Sequence, residues 1–118
     1  MKKTVGILFA AAVATAALAI PTIGAGAPQT VRVSEVDGRI SLATKPKAGL
    51  VKFVVRNRGD DAHDFWVRGG GKRWKTSVLI PGRAATLTAR LKKGVRYSFW
   101  CGVSDHAEEG MRGSFIAR

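Results

Sequence analysis

The stretch Val95-Arg96-Tyr97-Ser98-Phe99-Trp100-Cys101 sets Val95, Tyr97, Phe99 and Cys101 on one side and Arg96, Ser98 and Trp100 on the other. Successive side chains of a strand point to opposite faces, so this period of two predicts a strand whose inner face ends on a cysteine sulfur. Working outward, the same period recurs. Ala85, Leu87, Ala89 and Leu91 alternate with Thr86, Thr88 and Arg90, and Lys93-Gly94 turns the chain before Val95. Val51, Phe53 and Val55 oppose Lys52 and Arg56; Val31 and Val33 oppose Arg32 and Ser34; Ile40 and Leu42 oppose Arg39 and Ser41. Short runs at His63 to Val67, Ser77 to Ile80 and Met111 to Arg118 complete the set. Asp37-Gly38, Lys45-Pro46-Lys47-Ala48-Gly49, Gly69-Gly70-Gly71 and Pro81-Gly82 separate the runs with turn residues. No stretch carries a helical period. Seven or eight short strands with one apolar face each predict an all-β antiparallel sandwich or small barrel.

The chain has 118 residues, room for one domain. Met1-Lys2-Lys3 begins it with positive charge, and an uncharged run from Thr4 to Thr30 follows, apolar up to Ile23. That layout predicts an N-terminal leader over residues 1–27, a signal peptide or an uncleaved membrane anchor, and a folded domain over 28–118. Ala17-Leu18-Ala19 and Ala25-Gly26-Ala27 are both small-x-small cleavage sites. The domain is therefore expected outside the cytoplasm, in a periplasmic or other extracytoplasmic space. Exported domains of this size often lean on disulfides or a metal, and one cysteine allows no internal disulfide.

The scarce residues carry the chemistry. There are two histidines, His63 and His106, one cysteine, Cys101, and one methionine beyond the initiator, Met111. Three of the four fall within Cys101-Gly102-Val103-Ser104-Asp105-His106-Ala107-Glu108-Glu109-Gly110-Met111. Strand parity turns Cys101 inward with Phe99, and His63 inward with Phe65 and Val67. The loop after Cys101 can bring His106 back over the sulfur, and Gly110 lets Met111 start the last strand beneath it. Thiolate suits Cu(I), imidazole suits both copper states, and a distant thioether adds a weak axial contact; together they make a blue-copper donor set. Structural zinc prefers four strong ligands, and methionine is a poor one for it. A Cys-His nucleophile pair would need a substrate cleft and an orienting carboxylate, and the sequence points to neither.

Cys101-x4-His106-x4-Met111 behind Tyr97-Ser98-Phe99-Trp100 resembles the C-terminal ligand loop of the cupredoxins. Asn57-x5-His63-Asp64-Phe65 resembles their first-histidine segment. The loop lengths are closer to the rusticyanin and auracyanin type than to plastocyanin. The resemblance implies a Greek-key β-sandwich holding one copper ion through His63, Cys101, His106 and Met111, and one-electron transfer rather than enzymatic catalysis. Many cupredoxins tie the two ligand segments together through Asn after the first histidine and Ser or Thr after the cysteine. Here those positions are Asp64 and Gly102, so a weaker or different tether is expected. Asn57, Asp64 and Gly102 are accordingly the candidate supporting residues.

Charge frames the partners. Lys and Arg number 20 against 8 Asp and Glu, and the net charge is +12. Six of the acids, Asp60, Asp61, Asp64, Asp105, Glu108 and Glu109, lie within a few positions of a ligand histidine. This predicts an acidic copper edge that meets a basic redox protein such as a cytochrome, and a basic body suited to an anionic membrane surface. Trp66, Trp74 and Trp100 among arginines would also suit a polyanion-binding module, although nucleic acid is not expected outside the cytoplasm. The chain is expected to be a monomer. The rival to electron transfer is copper handling, as carrier or buffer, with the same ligands. No Met- or His-rich tract favours delivery.

Overall fold

The computed structural model describes residues 6, 12 and 27–118, so the leader falls almost wholly outside the described residues. Strand β1 (Gln29–Val36) turns at Asp37-Gly38 into β2 (Arg39–Leu42), and Gly38 takes φ 82°, a left-handed conformation open to glycine. The chain then crosses to the other side of β1 as β3 (Gly49–Asn57), which pairs antiparallel with β6 (Ala84–Leu91). The second sheet holds β4 (Trp66–Gly69), β5 (Lys72–Lys75), β7 (Arg96–Trp100) and β8 (Arg112–Ile116). The orders are β2-β1-β3-β6 and β5-β4-β7-β8.

The inner faces follow the alternation in the sequence. Val31 and Val33, Val51, Phe53 and Val55, Leu87, Ala89 and Leu91, and Tyr97 and Phe99 are all buried. Phe53 joins the sheets: its ring centre lies 5.5 Å from that of Phe65 and 6.4 Å from that of Phe115. Such a core supplies most of the driving force for the fold. It also fixes which end of each strand carries chemistry. β1, β3 and β7 all run toward one end of the sandwich. The 37–38 turn, the 58–65 loop and the 101–111 loop gather there.

Three details depart from the pattern read in the sequence. The sandwich is antiparallel except for β1 and β3, which pair in parallel from Gln29↔Val51 to Glu35↔Asn57. The β1–β2 hairpin decides it by returning the chain to the end where β1 begins, so that β3 sets out in the same direction on the other side of β1. Ser77 to Ile80 forms no strand; only Leu79 pairs, by a single bridge to His63, and Val78 and Ile80 are exposed. Lys72–Lys75 does form a strand, although it shows no apolar alternation. Gly70 and Gly71, at φ 58° and 76°, make the two-residue hairpin turn that aligns it with β4. No helix among the described residues is long and apolar enough to cross a membrane.

Candidate metal centre

His63, Cys101 and His106 meet at the end of the sandwich toward which β3 and β7 run. The Nδ1 atoms of the two histidines are 3.1 Å apart, and the Cys101 sulfur lies 3.8 Å from that of His63 and 3.7 Å from that of His106. A point about 2.1 Å from all three atoms closes this triangle, the reach of a transition metal to imidazole and slightly under that to thiolate. The donor set fits one copper ion. His63 and Cys101 are fully buried and the His106 side chain is 15% exposed, so the triangle opens to solvent only through His106. Met111 is fully buried as well.

Backbone bonds hold the loop that carries three of the four residues. Met111 N–H donates to the His106 carbonyl at 3.0 Å, Cys101 N–H to the Met111 carbonyl at 3.0 Å, and His106 N–H to the Val103 carbonyl at 3.1 Å. The loop closes through two residues in the left-handed region, Ser104 at φ 47° and Gly110 at φ 115°. At Gly110 a side chain would also meet the Gly38 carbonyl oxygen at 2.7 Å, so this position needs glycine for room as well as conformation. His63 comes from the opposite direction, fixed by its two-way backbone bridge to Leu79. Asn57 organises the turn before it: its amide donates to the carbonyls of Asp61 and Leu79, both at 2.8 Å, and accepts from Gly59 N–H at 2.9 Å. Asn57 thus shapes the loop without a hydrogen bond to any ligand side chain.

Burial pushes the Cys101 thiol up, and the amides of Asp64 and Val103 pull against that shift. A sealed, protonated thiol is a poor nucleophile even though His63 bonds to a carboxylate, Asp37. The same sulfur becomes a thiolate when a metal takes the proton's place.

No known family model matches the chain, and no curated protein matches it. Solved structures do. A sodium-dithionite-reduced auracyanin from the photosynthetic bacterium Roseiflexus castenholzii is similar over 79% of this chain and 99% of that one, at 17% identity and a TM-score of 0.65. Auracyanin B is similar over 79% and 91%, at 17% identity and a TM-score of 0.66. A multicopper oxidase is similar over 79% of this chain but 45% of its own, at 16% identity and a TM-score of 0.60. The fold is that of the cupredoxins.

Within that fold the departure at Asp64 and Gly102 has a physical account. The Gly102 N–H donates to Asp64 Oδ1 at 2.5 Å, and the Trp66 indole N–H donates to Asp64 Oδ2 at 2.9 Å. A side chain at position 102 would meet Trp66 Nε1 at 2.5 Å. Trp66 occupies the space that a serine or threonine would need, and a carboxylate serves both donors. The tether between the ligand segments is present and different in kind. Trp66 itself stacks on Trp100, with centres 5.7 Å apart, and carries Arg73 and Lys75 over its ring. Trp74 packs on Tyr97. The tryptophans are thus engaged with the protein's own side chains.

Two residues at this end escaped the sequence reading. Asp37, read there only as a turn residue, accepts from His63 Nε2 at 2.8 Å. Glu35 lies fully buried on β1 with neither carboxyl oxygen hydrogen-bonded. A charged residue at an inward position of β1 was the available signal, because Val31, Val33 and position 35 share one face.

Proposed function

We propose that this protein is a type 1 blue copper protein that carries single electrons outside the cytoplasm, with His63, Cys101, His106 and Met111 as its ligands. The observation that carries the reading is the triangle of two imidazole nitrogens and one thiol sulfur, closed to within 4.8 Å in a cupredoxin fold. Copper supplies the chemistry by cycling between Cu(I) and Cu(II). The chain supplies a frame. Cys101 would give up its proton to serve as thiolate, His63 and His106 would present Nδ1, and Met111, just before the last strand, would be the weak fourth donor. His106, the ligand that reaches solvent, is the edge through which electrons pass. Burial of His63, Cys101 and Met111 keeps three of the four proposed donors from solvent, which favours a carrier over an enzyme. The same burial favours a site that keeps its copper over one that hands it on.

Titration with Cu(II) should saturate at one equivalent with an intense blue band and a reversible one-electron couple. A pale tetragonal complex would end the type 1 reading. Met111→Leu should keep the colour and raise the reduction potential, since a donor to Cu(II) is lost. Failure of that variant to bind copper would show Met111 to be structural.

The partner reading draws support from where the charges fall. All eight carboxylates, Glu35, Asp37, Asp60, Asp61, Asp64, Asp105, Glu108 and Glu109, belong to segments at the copper end. The opposite pole, where β1 begins at Gln29, carries Lys45, Lys47, Lys72, Lys92, Lys93 and Arg118. Such a dipole turns the copper edge toward a basic redox protein and the far pole toward an anionic surface. Glu108→Gln with Glu109→Gln should slow electron exchange with a cationic cytochrome several-fold at low salt, and the loss should shrink as salt is added. Charge reversal at Lys92 and Lys93 should spare that exchange and weaken adsorption to anionic vesicles. The opposite pattern in stopped-flow rates would reverse the proposed orientation.

A further inference from the structure

We infer that Asp37, admitted by Gly59, is the positioning residue that holds His63 ready for the metal; this rests on the copper reading above. A carboxylate only accepts hydrogen bonds, so the 2.8 Å contact to Asp37 Oδ1 requires the proton of a neutral His63 ring to sit on Nε2. That leaves the lone pair on Nδ1, the atom facing Cys101 and His106. The carboxylate is itself held in place. Oδ1 accepts from the amides of Asp60 and Asp61, both at 3.2 Å, and Oδ2 accepts from Asp60 at 3.1 Å. One acidic side chain therefore ties the β1–β2 turn, the 59–61 loop and the ligand ring together.

Gly59 is the independent sign that the arrangement is built. Its backbone is not left-handed, so conformation does not call for glycine there. Room does: a side chain at this position would clash with Asp37 Oδ1 and come within 2.9 Å of His63 Nε2. The other histidine lacks such a hold, since His106 Nε2 comes only to 3.9 Å from Asp61. The two imidazoles are thus unequal, one fixed and buried, the other less held and at the edge. Negative charge hydrogen-bonded to a ligand imidazole raises its basicity and favours the more highly charged metal ion.

The test begins with the copper-free protein. Imidazole ¹⁵N shifts should show His63 with an unprotonated Nδ1 and a protonated Nε2. Asp37→Ala should give a mixture of tautomers, weaken Cu(II) binding by about 10- to 100-fold and raise the reduction potential. Asp37→Asn keeps an acceptor oxygen without the charge; it should recover most of the affinity while the potential stays raised, and it serves if the alanine variant does not fold. An unchanged His63 tautomer and an unchanged potential in both variants would reduce Asp37 to an anchor for the Asp60–Asp61 loop and overturn the inference. Failure of the copper reading would look different, because the unmodified protein would bind no copper in a blue form while the tautomer result stood.

Discussion

Cys101→Ser should abolish the blue colour of the copper-loaded protein completely. The colour of a type 1 centre comes from charge transfer along a short copper–thiolate bond, and a serine hydroxyl supplies neither the soft donor nor the orbital. The rest of the triangle is untouched, because His63 is held by Leu79 and Asp37 and His106 by its own loop. The variant should therefore still take up Cu(II) through two imidazoles, weakly, as a pale complex. Replacing a fully buried thiol by a hydroxyl costs about 1–2 kcal/mol of stability, which the sandwich core can absorb. Far-UV circular dichroism separates loss of the band from loss of the fold. A Cys101→Ser protein that kept the intense band would remove sulfur from the site and end the assignment.

Much of the site could be read in the sequence because strand parity is a hard constraint. Cys101 directly follows β7 and is buried with Phe99 and Tyr97, as alternation requires. His63 and Phe65 come before β4 and are buried as well, but so is Asp64 between them, so the inward direction of His63 rests on its bridge to Leu79 and not on a strand. Two scarce residue types directed into one small sandwich had few other places to go. Contacts made across the chain left no such trace. Asp37 and His63 are 26 positions apart, and nothing in Asp37-Gly38 distinguishes an aspartate that closes a turn from one that also orients a ligand. The Asp64–Gly102 tether was visible as a departure from a pattern, but its replacement by a shared carboxylate required knowing where the Trp66 ring lies. Ser77 to Ile80 misled for a related reason. Its apolar residues announce burial, yet Leu79 alone turns inward to meet His63 while its neighbours face water.

Glu35→Gln should stabilise the copper-free protein in alkaline solution and leave it nearly unchanged in acid. Glu35 sits beside Val33 on the inner face of β1, opposite Ile40 on β2 and Asn57 on β3, and neither partner gives it a hydrogen bond. Burial, followed by the negative charge of Asp64, pushes its carboxyl up to about 8 from an ordinary 4.5. The folded chain thus holds a proton that the unfolded chain releases near pH 4.5. Between those two values the unfolded state binds fewer protons, so stability falls as pH rises, and it levels off once the folded carboxyl has ionised. The contribution is fully present below about pH 4.5 and lost by about pH 8. Its size is on the order of 2–4 kcal/mol after allowance for water reaching the charged form. Glutamine matches the neutral acid in shape and polarity but cannot ionise. Urea midpoints of the two proteins should therefore coincide near pH 4, diverge as pH rises to about 8, and stay apart above it, with the variant the more stable. Cys101, whose thiol is also pushed up, would begin to bend both curves alike above that range. Parallel curves for the two proteins would mean that Glu35 stays ionised in the fold. A partner absent from its present surroundings would then have to reach the buried carboxyl.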